Sequence, residues 1–133
     1  IIMALPNGAG GYQFGDGNLN EINMVTQVAP TAKTAAATLT AAELATGIIT
    51  YTGAAVALTV PLGADLDNAF PSMKVNSCFD FVIINTGGTN AATVTANTGC
   101  TLVGVAAVNA LTSATWRVRK TDAATYVFYR VAG

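Results

Sequence analysis

From residue 35 onward the apolar positions come in short runs, each closed by Gly, Asn, Thr or Pro. The turn signals recur about every 8–12 residues, the rhythm of strands in a sandwich or barrel. Candidate strands are residues 36–40, 48–51, 56–60, 78–84, 92–96, 102–103, 114–119 and 125–131. The clearest runs from Cys78 to Ile84, where Phe79, Phe81 and Ile83 alternate with their neighbours. A period of two places those three side chains on one face, the expected core face. The same alternation sets Trp116 and Val118 on one side of residues 114–119, and Arg117 and Arg119 on the other. Residues 62–70 predict a short helix ended by Pro71, with Leu66 and Phe70 sharing a face at the i, i+4 spacing. Ala41–Ala45 is helix-like, but Thr46-Gly47 stops it after about one turn. No strand–helix alternation marks a parallel α/β sheet. The expectation is an all-β, antiparallel β-sandwich or β-barrel-like domain over residues 35–133, with one short helix and an extended N-terminal arm.

That arm spans residues 1–34. Its glycine clusters, Gly8 to Gly11 and Gly15 to Gly17, interrupt anchors that keep neither period: Leu5, Tyr12, Phe14, Leu19, Ile22 and Val25. Such a segment suits a chain that lies on another surface, and those six residues are the candidate contacts. The other reading is an irregular strand packed on its own domain. The opening Ile1–Leu5 has no charged stretch followed by an apolar core, so no secretory leader is expected.

Composition narrows the function. Of 133 residues, 52% are hydrophobic and only 10% charged, with net charge −1; mean hydropathy is +0.49. Ordinary domains carry roughly 25% charged residues. A surface so poor in charge is weakly protected against association, which favours a homo-oligomer packed into an assembly. No basic block supports nucleic-acid binding, and no apolar run reaches a membrane span.

Enzymatic chemistry has little footing. Histidine is absent, and Ser72, Ser77 and Ser113 sit in no nucleophile elbow. Asp65, Asp67 and Asp80 meet only if residues 62–70 fold over strand 78–84. The stretch Asp16–Glu21 imitates a calcium loop at its first, third and fifth positions. Glu21 then stands where the loop needs Gly, and Gln27 where it needs Glu. No catalytic residue, cofactor or metal is therefore expected. Cys78 and Cys100 read as two buried thiols, the alternative being a bridge. Arg117 and Arg119, joined across the terminal hairpin by Arg130, form a candidate subunit interface that needs carboxylate partners, from Asp80, Asp122 or a neighbouring copy.

Several stretches resemble a recurrent module of tailed-phage virion proteins: Ala37–Leu44, Gly47–Ile49, Leu58–Pro61, Phe79–Asn85, Gly99–Gly104, Thr112–Lys120 and Tyr126–Arg130. The opening Ala9–Gly11 and Gly15–Glu21 resembles the N-terminal arm of some of them. The resemblance is one of strands and turns and carries no catalytic motif. It implies a capsid decoration, or cement, protein: a β-rich homotrimer on the capsid exterior, made in the host cytoplasm, that binds the major capsid protein and locks neighbouring capsomers. The competing reading is a head- or tail-fibre module binding host glycans, for which Tyr12, Tyr51 and Tyr126 are the candidate stacking platforms.

Overall fold

A computed structural model describes residues 24–133. Ten strands and two short helices follow in chain order: β1 Thr31–Lys33, β2 Ala37–Thr38, α1 Ala41–Ala45, β3 Ile48–Tyr51, β4 Val56–Thr59, α2 Gly63–Ala69, β5 Cys78–Asn85, β6 Ala92–Thr95, β7 Cys100–Val103, β8 Ala107–Val108, β9 Ser113–Asp122 and β10 Thr125–Ala132. They form a six-stranded sheet, ordered β1-β3-β5-β9-β10-β7, and a four-stranded sheet, ordered β2-β4-β6-β8.

From β1 to β8 successive strands alternate between the two sheets. Each return to a sheet therefore completes a circuit, and strands one circuit apart run the same way. This is why β1, β3 and β5 pair in parallel, as do β2, β4 and β6. The winding ends at β9 and β10, a long hairpin that pairs antiparallel with β5 and carries β7 in parallel on its far side. The expected purely antiparallel sandwich is thus corrected to a mixed one. Corner residues that switch the chain between sheets have the same Gly, Asn and Thr composition as hairpin turns, so composition does not distinguish them.

The expected single helix becomes two. α1 is only five residues long, yet both halves of a capping box hold it: the Glu43 N–H donates to Thr40 Oγ1, and the Thr40 N–H donates to Glu43 Oε1. Gly47, at φ 85°, then closes its C-terminus through a bond to the Leu44 carbonyl. α2 follows Pro61-Leu62, buries Leu66, and sets Phe70 against Phe79 with ring centroids 5.2 Å apart.

One core joins the layers. Ile49, Tyr51, Phe81, Ile83, Trp116, Val118, Tyr126 and Phe128 enter it from the large sheet. Leu58, Val94 and Val108 enter it from the small sheet, and Leu44 and Leu66 from the helices. Phe81 meets Phe128 edge to face, at 6.1 Å and 76°. Asn85, buried at the end of β5, ties the sheets together. Its Nδ2 donates to the carbonyls of Val108 and Asn90, and its Oδ1 accepts from the Gly87 N–H. At the other end Gly63 and Gly99 let backbone meet backbone. A methyl on Gly63 would sit 2.0 Å from the Ala124 carbonyl oxygen.

Among the described residues no helix is long and apolar enough to cross a membrane.

Candidate interaction surface

Both helices bury their apolar residues in the same core as the inward-facing strand positions, so neither covers the outer face of the large sheet. Strand register arranges that face in rows. Ile48, Val82 and Thr115 make one row, and Thr50, Ile84 and Ser113 the next. Asp80, Arg117, Tyr129 and Val103 make the third, and Cys78, Arg119, Val127 and Thr101 the fourth. The face is therefore aliphatic and threonine-rich at one end and carries guanidiniums at the other.

Arg117 and Asp80 lie opposite each other on β9 and β5. Arg117 donates to the carboxylate twice, Nε to Oδ1 at 2.8 Å and Nη2 to Oδ2 at 3.0 Å. Hydrogen bonding by Arg117 holds the Asp80 carboxyl below its ordinary range, and burial opposes this only in part. The pair is exposed, so its value lies in neutralising the face rather than in fold stability. Arg119 has neutral partners: Nε and Nη2 donate to the Tyr129 hydroxyl, and Nη1 to Asn76 Oδ1. Its guanidinium carbon stands 5.7 Å from the Tyr129 ring centre.

The expected patch of three arginines does not form. Arg130 is in register with Trp116, a core residue, and so leaves the sheet on the inner side. Its guanidinium donates to the carbonyls of Val105, Ala107 and Gly133. It ties the β7–β8 connection to the end of β10, where it binds within its own chain. The sequence did carry a signal for this, because Arg130 has the same parity along β10 as Tyr126 and Phe128.

The acidic residues are dispersed. Asp67 on α2 accepts from the Tyr126 hydroxyl at 2.6 Å, the Ala124 N–H at 2.7 Å and Lys120 Nζ at 2.9 Å. The Tyr126 hydroxyl, then Lys120, then the Ala124 amide bring its pKa down to about 2. Burial, and then the bond to Asp67, raise that of Tyr126. Asp80 is engaged by Arg117, so among the described residues it forms no carboxylate pair poised for acid–base work. Among the described residues no group of three metal-ligating side chains occurs.

Two further expectations are corrected. Tyr51 and Tyr126 are core residues, not platforms, and their hydroxyls are engaged by the Ala54 carbonyl and by Asp67. Tyr12 lies outside the described residues. Cys78 is exposed at the start of β5 while Cys100 is buried against the Pro61 carbonyl, and both are free. Of the candidate arm contacts, Leu5, Tyr12, Phe14, Leu19 and Ile22 lie outside the described residues; Val25 is 87% exposed. Residues 31–33 of the expected arm are β1, paired in parallel with β3.

An apolar hollow of about 330 Å³ lies between α1, Phe70, Met73 and the start of β5. It is open to solvent and holds no convergent set of polar groups. No family model, curated protein or solved structure matches the chain.

Proposed function

We propose that this chain is a structural virion protein: a homo-oligomer, taken to be a trimer, that binds the outer surface of a phage capsid and bridges neighbouring capsomers. The observation that carries the reading is the outer face of the large sheet, which neither described helix covers. Its rows hold Ile48, Val82, Ile84, Val103, Val127 and Tyr129, and its opposite charges at Arg117 and Asp80 cancel within the chain. A face of this kind loses little by desolvation and suits burial against a neighbouring subunit. Arg117 and Arg119 rim that contact.

The role is structural rather than catalytic. Glu43, Asp67 and Asp80 are each committed to an ion pair that ties elements together, and the chain has no histidine. Contact with the major capsid protein falls to residues 1–23, which carry the anchors Leu5, Tyr12, Phe14, Leu19 and Ile22.

The test mixes full-length protein, or a variant lacking residues 1–23, with heads that lack this protein, and measures what sediments with them. Full-length protein is expected to co-sediment, and the truncated form to stay in the supernatant as an intact oligomer. Failure of full-length protein to bind any such head would end the capsid reading.

A further inference from the structure

Each sheet edge presents backbone N–H and C=O groups that need a partner or a defence, such as shortness, Pro or Lys. Three of the four edges are defended. β2 and β8 are two residues long. β1 is three residues long, follows Pro30, and carries Lys33, which is paired with Glu43. The fourth edge, β7, has four residues, Cys100–Val103, with no charge and no proline. Val103 and, just beyond it, Val105 are 47% and 67% exposed.

The register shows which groups of β7 are open. The Tyr126 N–H donates to the Gly99 carbonyl, and Thr101 aligns with Val127. In a parallel pair alternate residues turn both backbone groups to the same neighbour. Thr101 and Val103 therefore bond to β10, and the amide and carbonyl of Leu102 face outward.

A second element also has no strand partner among the described residues. Residues 24–30, Met-Val-Thr-Gln-Val-Ala-Pro, are described, belong to no strand, and are exposed throughout. Met24, Val25 and Val28 are 85%, 87% and 55% exposed. The stretch 24–28 is uncharged and rich in strand formers. Gln27 fastens it at its base by donating to the Thr46 carbonyl.

This segment leads into β1, at the opposite edge of the large sheet from β7. The two edges are separated by five strand spacings, about 24 Å at roughly 4.8 Å each. Only Ala29 and Pro30 tie the segment to β1, and two extended residues span only about 7 Å, so the segment cannot add to its own β7. We propose that residues 24–28 of one copy pair with the free edge of β7 in a second copy. The contact is head to tail: each chain offers a strand at one edge and a vacant edge at the other. Repeated with a closing rotation, it makes a ring. The proposal rests on the homo-oligomer reading above and names the link that selects the neighbour.

Two experiments on the full chain test it. Thr101→Lys with Val103→Lys places charges beside the open edge at two exposed positions, leaving the core and the β10 pairing intact. The wild type is expected to scatter light as an oligomer, and this variant as a folded 13.5 kDa chain, with the dissociation constant raised roughly tenfold or more. Separately, Val25→Cys and Val103→Cys are made as single variants on a Cys78→Ser background and oxidised alone and mixed. A disulfide-linked pair is expected only in the mixture. Linkage of Val103→Cys to itself would mean that two β7 edges meet, and would overturn the proposal. So would an undiminished oligomer in the double lysine variant, which would leave the homo-oligomer reading standing. A wild-type monomer would remove that reading and the proposal with it.

Discussion

Asn85 is the buried polar residue on which the joint between the sheets depends. Its amide saturates two carbonyls and one N–H, from Asn90, Val108 and Gly87. Asn85→Ala would leave those groups unpaired in a place water reaches poorly, at about 1–3 kcal/mol for each group not rescued. The variant is expected to lose about 2–3 kcal/mol in urea unfolding, with the slope of the transition unchanged. Asp67 gives a different signature. Its folded pKa of about 2 lies below the ordinary 3.8, so its contribution is complete above about pH 4 and lost as pH falls toward 2. Tyr126, raised above its ordinary 10.0, contributes fully below pH 10 and loses its contribution as pH climbs beyond. Asp67→Asn should flatten the acid limb of melting temperature against pH; an unchanged limb would assign acid lability to other carboxylates. The thiols divide as their surroundings dictate. Burial pushes Cys100 up to about 11, while Cys78 is open. A thiol reagent on the native protein should modify Cys78 alone, and a reductant should not move the melting temperature.

Among the elements, the tightest junction is where the start of α2, the β6–β7 turn and the β9–β10 turn converge. A methyl on Gly63 would strike the Ala124 carbonyl oxygen, and one on Gly99 would strike it at 2.3 Å. Backbone on both sides cannot yield as a side chain would. Gly63→Ala is therefore expected to cost about 2–3 kcal/mol, read as a fall in the denaturation midpoint. The same convergence marks the limit of what the pattern of residues revealed. β5, β9 and β10 were legible because long alternating runs have one buried parity, and α2 because Leu66 and Phe70 recur at helical spacing. β1 and β8, three and two residues long, are too short to display a period at all. Strand direction was not legible either, since it depends on whether a Gly- or Asn-rich corner turns the chain back or sends it to the other sheet. The error over Arg130 had a different origin: its charge argued for the outside while its parity argued for the inside. Three backbone carbonyls at the sheet end let parity win, because they solvate a guanidinium as water would.

At the scale of the whole molecule the chain has two unlike sides. The small sheet and helices close over the core, and the large sheet turns outward a face that no described helix covers. Of the charges in its rows, Arg117 and Asp80 cancel each other, and Arg119 is held by Tyr129 and Asn76. Under the proposed homo-oligomer reading, association through this face is driven by removal of aliphatic surface from water, with little long-range electrostatic contribution. Salt screens exposed charges over about 8–10 Å at 0.10–0.15 M, but leaves apolar burial intact. The dissociation constant of the oligomer should therefore change by less than about threefold between roughly 0.05 and 0.5 M NaCl. Val82→Glu would place an unpaired carboxylate in the row between Ile48 and Thr115. The monomer is expected to tolerate it, since Val82 lies on the outer face and is only half-buried there, whereas the proposed oligomer must desolvate the charge or come apart. Sedimentation equilibrium should find the variant folded and dissociated at concentrations where the wild type is assembled. An oligomer that weakens steeply with salt and ignores Val82→Glu would instead place the contact on a charged surface elsewhere on the molecule.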